Sequence, residues 1–403
     1  MINRRDLLRS SGWAAASIGA ATFLRPALAA DMATLPIGNG ERPMMKYPGK
    51  RELIVLTQRP PQLETPFSVF DENIITPNDA FFVRYHLAGI PTEIDPAKYV
   101  VKIAGAVEKP FSLSLDQLKS DYEPLELVAV NQCSGNSRGL FDPRVAGGQL
   151  ANGAMGNARW KGVPLKAILD KAAVKATAVQ VQFDGMDGPV DPATPDFAKA
   201  LNIDHARDGE VMIAYQMNGE DLPWLNGFPV RLIVPGYYGT YWVKHLQQVT
   251  ILEKPLENFW MKTAYRIPNN ACACIEPGTA PSSTTPIDRF DVRSFITSVM
   301  DGHKLPANKD VELRGFAFDG GYGITEVDIS SDGGKTWREA TLGKDLGRYS
   351  FRGWTAKVKL AKGDHVLMVR AVNRIGQSQP ARPLWNPSGY MRNVVEQTHV
   401  TAA

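Results

Sequence analysis

Near residue 285 the hydrophobic pattern of this chain changes character, and that change limits the folds open to it more than any other feature. From about Thr285 apolar runs recur at regular spacing: Ser294 to Val299, Asp310 to Phe318, Ile324 to Ser330, Trp354 to Leu360 and His365 to Asn373. Between the third run and Trp337, Ser331-Asp332-Gly333-Gly334-Lys335-Thr336 has the chemistry of a hairpin turn. Evenly spaced strands of this kind predict an all-β sandwich over 285–403. Upstream, over 67–284, β-rich runs such as Val179 to Phe183 and Val230 to Val234 mix with helical stretches around Leu115 to Leu118 and Leu165 to Ala172. That mixture predicts an α+β domain. Residues 30–66 are rich in Pro and Gly with little periodicity, so we expect an extended N-terminal arm without chemistry of its own.

The first residues read as an address. Asn3-Arg4-Arg5-Asp6-Leu7-Leu8 sets paired arginines before an apolar stretch, Gly12 to Leu24, and Ala27-Leu28-Ala29 supplies the small-x-small pattern of a cleavage site. This looks like a twin-arginine export signal over 1–29, cleaved near Ala29, which would make the mature chain periplasmic. An uncleaved anchor and an ordinary secretory signal are the alternatives. The apolar stretch is too short to cross about 30 Å of hydrocarbon at about 1.5 Å per helical residue, and no later segment reads as a membrane span. Charge agrees with a processed terminus. Of 45 Lys plus Arg and 42 Asp plus Glu, four arginines and one aspartate lie in 1–29, leaving 41 of each. The neutral remainder excludes a basic nucleic-acid footprint.

Three cysteines are too few for a disulfide scaffold, and none sits in C-x-x-C or C-x-x-C-H, so no c-type haem attaches to this chain. Cys133 follows the apolar run Val128-Ala129-Val130 and opens a series of small, turn-forming residues that ends at Arg138. A thiolate there, its pKa lowered by Arg138, suits a transition metal; a buried structural cysteine is the other reading. Cys272 and Cys274 form a C-x-C in a probable loop without a nearby His, and read as incidental or structural thiols more readily than as a metal pair. Arg84 and His86 stand two apart in Phe82-Val83-Arg84-Tyr85-His86, a spacing that would put them on one face if the run is a strand. Arg231 lies inside the apolar Val230-Arg231-Leu232-Ile233-Val234, with Lys244 shortly after. A buried Arg needs a carboxylate or a phosphate.

Six segments in order carry a resemblance: Phe81 to Leu87, Gln132-Cys133-Ser134-Gly135-Asn136-Ser137-Arg138, Ala158 to Leu165, Ala214 to Gly219, Gly227-Phe228-Pro229-Val230-Arg231 and Trp242-Val243-Lys244. In these the chain resembles the sulfite oxidase family of molybdenum enzymes, most closely its bacterial periplasmic sulfite dehydrogenases. The resemblance implies a molybdopterin-binding domain followed by an immunoglobulin-like dimerisation domain, hence a homodimer. It implies Cys133 as the protein ligand to molybdenum, and His86, Asp187, Arg231 and Lys244 as residues that hold molybdopterin and its phosphate. Arg84 and Arg138 would form a cationic pocket for sulfite, and Tyr265 matches the tyrosine whose hydroxyl faces the reacting oxygen. Electrons would leave to a separate periplasmic c-type cytochrome. Departures from the vertebrate pattern fall at Leu150, in place of a pocket Trp, at Ser388, in place of an Arg, and at Asn226, in place of a His. Arg392 is the nearest cation that could replace the missing one. The sulfane dehydrogenase subunit of thiosulfate-oxidising systems is the nearest alternative, and a non-catalytic binding protein that kept the fold is the alternative of another class.

Overall fold

Leu53, Val55 and Leu63 alternate along Glu52–Gln58 and Pro61–Glu64 and meet Val83 and Tyr85 in one small core. Ile54, on the opposite face, packs with Leu35 and Ala151. This period of two is what a strand buried on both faces requires. The computed structural model describes residues 31–35 and 39–403. The export signal expected over 1–29 lies outside them. The expectation of an extended arm over 30–66 is corrected: Met32–Thr34, Glu41–Lys46, Glu52–Gln58 and Pro61–Glu64 form an antiparallel sheet whose fifth strand is Val83–Arg84. The pairing of Gln62 with Arg84 in that sheet fixes the backbone from which Arg84 and His86 project.

Two further sheets build the body of the region 67–284. One runs in the order Ala198–Asn202, Gln180–Gly185, Leu246–Leu252, Val100–Gly105 and Phe111–Ser114, with a parallel pairing between the third and fourth. The other runs Glu220–Asp221, Met212–Met217, Met155–Pro164 and Leu125–Gln132, and Arg231–Ile233 also pairs with Met212–Met217. The α+β expectation holds only in part, because this region is mostly β. Its helices, Val69–Glu72, Leu115–Ser120, Leu165–Ala172, Ile203–Ala206 and Phe259–Lys262, never exceed eight residues. Each covers a sheet rather than forming a layer. Leu165, Ile168, Leu169 and Ala172 bury one helical stripe, and Ser114 and Gln117 close a reciprocal capping box at 3.1 and 3.0 Å.

The C-terminal region is the expected pair of sheets. Arg293–Ile296, Asp310–Phe318, Arg352–Lys359 and Thr341–Leu342 make one; Lys304–Leu305, Gln397–Ala402, Gly363–Asn373, Ile324–Ser330 and Arg338–Glu339 make the other. Leu313 and Ala317 face the sandwich interior with Trp354 and Val358. Phe316 and Phe318, of opposite parity, join Phe295 and Phe351 in the main core against Phe70 and Phe290. One sheet is thus apolar on both faces, and residues 31–403 make a single compact unit. Asp332 Oδ1 closes the expected hairpin by accepting from Lys335 N and Thr336 N at 3.0 and 2.9 Å.

Candidate functional site

Cys133 is the first residue beyond Leu125–Gln132, where the chain leaves the sheet. Its amide still donates to Ala154 O at 2.9 Å, and the following turn is held by Asn136 N to Cys133 O at 3.0 Å. The half-buried thiol is free. Two adjoining cavities meet at it. The inner one is lined by Cys133, Arg84, His86, Asp187, Arg231, Lys244 and Tyr265, among others. The outer one, about 290 Å³, is lined by Cys133, Arg84, Arg138, Leu150, Trp260, Tyr265 and Tyr390, among others. All eight residues singled out from the sequence therefore lie on these cavities.

The inner cavity is strongly cationic and under-satisfied. Arg231 is buried, donates to Asn226 O and Trp242 O at 3.0 Å each, and lies between the Trp160 and Trp242 rings. Burial pushes its guanidinium down to about 9. No carboxylate pairs with it among the described residues, so the salt-bridge reading of Arg231 does not hold. Lys244 donates to Leu225 O at 3.2 Å and sits over the Tyr85 ring; burial and then Arg231 hold its ammonium well below the ordinary lysine value. Burial raises Asp187 to about 6 against the opposing pull of Lys244. Around these cations Arg231 Nε, Asn131 Oδ1, Ser134 Oγ and Thr240 Oγ1 are buried without a hydrogen-bond partner. Buried polar groups are rarely left unpaired. Buried cations in no salt bridge among the described residues, beside orphaned donors and acceptors and one soft thiol on the same cavity, fit a phosphorylated, hydrogen-bonding cofactor that carries a thiophilic metal.

The outer cavity presents two guanidinium groups to the same thiol. Arg84 donates to Tyr85 O. Arg138 starts a short 3-10 turn and donates through Nε to Ser388 O at 3.0 Å. Gly147, at φ 106°, makes room for it, since a Cβ there would lie 2.6 Å from Arg138 Nη1. Tyr265 is buried in the left-handed region at φ 56°, an uncommon setting for a bulky side chain and one associated with functional sites. Its hydroxyl bonds His86 Nε2. The imidazole is stacked on Phe197 at 3.8 Å between centroids. Burial, then Arg84, Lys244 and Lys199, hold His86 neutral, well below the ordinary histidine value.

Several neighbours were not legible as site residues. Tyr390 stacks on Tyr265 at 5.4 Å with the rings 7° from parallel, and Arg138 lies 4.8 Å over the Tyr390 ring. It follows Ser388 by two positions, so the place of the missing cation is taken by a carbonyl and a phenol. Arg392 does not replace it, because that side chain is buried against Glu396. Lys199 donates to Trp260 O at 2.7 Å over the Tyr265 ring, and burial lowers it to about 7. Its signal was the one that exposed Arg231: a lone cation in an apolar strand, Phe197-Ala198-Lys199-Ala200-Leu201. His245 Nδ1 donates to Phe228 O at 2.6 Å, which leaves Nε2 to accept from Tyr85 Oη at 2.7 Å. Cys272 and Cys274 are not free thiols, being joined to each other in a disulfide.

Comparison with known proteins gives two family domains: "Oxidoreductase molybdopterin binding domain" over residues 86–260 and "Mo-co oxidoreductase dimerisation domain" over 284–402. Among curated relatives, sulfite oxidase of Gallus gallus is 31% identical over 86% of this chain and 76% of its own. Mitochondrial sulfite oxidase of Homo sapiens is 34% identical over 86% of this chain and 65% of its own, so the chain spans about two thirds of that relative. A nitrate reductase [NADH] of Solanum lycopersicum is 29% identical over 85% of this chain and 40% of its own. Among solved structures, the sulfane dehydrogenase SoxCD from Paracoccus pantotrophus superposes with a TM-score of 0.71 at 25% identity, over 85% of this chain and 87% of that one.

Proposed function

Because the chain belongs to the sulfite oxidase family of molybdenum oxidoreductases, we propose that it is a sulfite dehydrogenase, acting in the periplasm and passing electrons to a separate c-type cytochrome. The observation that carries this is the convergence of Arg84, Arg138 and Tyr265 on the free thiol of Cys133 at the junction of the two cavities. The overall reaction is SO₃²⁻ + H₂O → SO₄²⁻ + 2 H⁺ + 2 e⁻. When bound, molybdenum-molybdopterin supplies oxygen-atom transfer and storage for the two electrons.

The chain's own residues account for the rest. Arg231 and Lys244 would hold the cofactor's phosphate, and Asp187 on the same cavity would accept hydrogen bonds from its donors. Cys133, the free thiol shared by the two cavities, would be the protein's ligand to the metal. Arg84 and Arg138 draw the sulfite dianion in and orient it, an attraction that weakens as salt rises. Neutral His86 fixes the Tyr265 hydroxyl, and burial keeps that phenol protonated and able to donate towards the reacting anion. Leu150, Phe259 and Trp260 wall the cavity and limit water around the charges, which strengthens each of these interactions.

The paired arginines and small-x-small pattern before residue 30 support export, and the dimerisation domain supports a homodimer. The test is steady-state oxidation of sulfite by the purified protein with ferricyanide or cytochrome c as acceptor and molybdenum measured on the same sample. Turnover at about one molybdenum per chain supports the proposal. The likeness to the sulfane dehydrogenase favours one second reading: full loading with turnover of a sulfane-sulfur substrate, and none of sulfite, would select it.

A further inference from the structure

The geometry points to Lys50, in a segment expected to carry no chemistry, as the residue that positions the cations at the phosphate end of the inner cavity. Tyr47-Pro48-Gly49-Lys50 is a tight turn, with Gly49 at φ 70° and Lys50 N donating to Tyr47 O at 2.9 Å. It aims the lysine inward, where only 3% of its surface is exposed. All three ammonium donors are used: Nζ donates to Asn78 O at 2.6 Å, to Phe81 O at 3.0 Å and to Asn226 Oδ1. Asn226 is buried too, and its Nδ2 donates to Phe82 O at 3.0 Å. Both ends of the carboxamide are therefore committed to the protein.

What the arrangement holds is the short turn Trp224–Asn226. Two successive carbonyls of that turn carry the cavity's cations: Leu225 O accepts from Lys244 Nζ at 3.2 Å, and Asn226 O accepts from Arg231 Nη1 at 3.0 Å. Lys50 ties this turn to the Asn78 to Phe82 segment that leads into Arg84 and His86. Through one side chain, the turn that carries the phosphate-binding pair is anchored to the body of the protein, whereas Arg84 is fixed separately by its strand pairing with Gln62. A hydrocarbon in its place would leave two buried oxygens, Phe81 O and Asn226 Oδ1, and the part-buried Asn78 O without this donor. Lys50 does not line either cavity, so it acts through Asn226 as a positioning residue.

The inference rests on the cofactor assignment above, and its test separates the two. Wild-type protein, Lys50→Met and Lys50→Gln are purified alike, and molybdopterin per folded chain is measured before and after dialysis against inorganic phosphate, with the thermal midpoint and the KM for sulfite read alongside. We expect Lys50→Met to lose about tenfold in molybdopterin occupancy after the phosphate challenge, the scale at which outer-shell partners act. The KM, set at the other end of the site, should move less than twofold. Should Lys50→Met not accumulate as folded protein, Lys50→Gln, which keeps one donor, carries the same expectation at smaller size. Wild-type occupancy in either folded variant overturns the inference, as does a KM that rises in step with cofactor loss, which would mark general loosening. Absence of molybdopterin from the wild-type protein overturns instead the reading of the site.

Discussion

Arg231 shows how much a single side chain can report about a missing ligand. Its guanidinium is buried, bonded to two carbonyls among the described residues and left with an orphaned Nε, and a cation buried without an anion carries a cost that a bound anion would relieve. Replacing it by Met should lower molybdopterin occupancy at least tenfold while the chain still folds, as measured by cofactor content against circular dichroism. Tyr390 adds a second phenol beside Tyr265, stacked on its ring and lying under the Arg138 guanidinium. For Tyr390→Leu, which removes both the stack and the contact with Arg138, we expect the KM for sulfite to rise about fivefold, about 1 kcal/mol, with kcat changed less; an unchanged KM would remove Tyr390 from substrate positioning. His245 makes a prediction about pH. Burial holds it down to about 3 in the fold, against about 6.5 when unfolded. Below pH 6.5 the unfolded chain takes up a proton that the native one refuses, so stability is lost as pH falls through the window from about 6.5 to about 3, by up to about 1.4 kcal/mol per unit. Urea midpoints at pH 7.5, 6 and 5 should fall more steeply for the wild type than for His245→Gln.

At the scale of elements, the loop from Asn386 to Tyr390 is how the sandwich reaches into the site. Asn386 clamps it at both ends, with Nδ2 to Tyr390 O at 2.8 Å and Tyr390 N to Oδ1 at 3.1 Å. Gly389 sits at φ 60°, and a Cβ there would fall 2.3 Å from Val145 Cγ2 and 2.8 Å from Arg138 Cγ. Gly389→Ala should therefore displace Arg138 and raise the KM for sulfite at least fivefold, about 1 kcal/mol, in steady-state kinetics. The loop also marks where sequence reading stops. Strands such as Asp310–Phe318 and Ile324–Ser330 were legible to the residue because alternation is a local signal. The N-terminal sheet was not, because its strands are short and interrupted by Pro and Gly, and they are stabilised by pairing rather than by their own pattern. Cys133, Arg84 and Arg231 could be picked out as chemically unusual where they stand. Tyr390 and Lys50 could not, since their meaning depends on partners as distant as the 250 positions between Arg138 and Ser388.

On the scale of the whole molecule, the two regions share a core and a charge network. Arg293 of the sandwich is buried, donates to Ser137 Oγ at 3.0 Å beside Arg138, and shares Glu396 with Arg392. Glu396→Ala would strand two buried guanidinium groups, and we expect a loss of about 3–5 kcal/mol in chemical denaturation. The aromatic contacts between the two regions imply that residues 285–403 cannot be removed without exposing Phe70, which packs on Phe316, and Tyr238, which packs on Phe290. On the proposed function, cofactor and substrate meet at one strand end, where Cys133 is shared by the two cationic cavities. The most direct test of that account is sulfite-dependent ferricyanide reduction per molybdenum in the wild type and in Cys133→Ser, assayed side by side. The account predicts turnover in the wild type and a loss of at least about a thousandfold in the variant, equivalent to about 4 kcal/mol. Equal turnover in both proteins would contradict it.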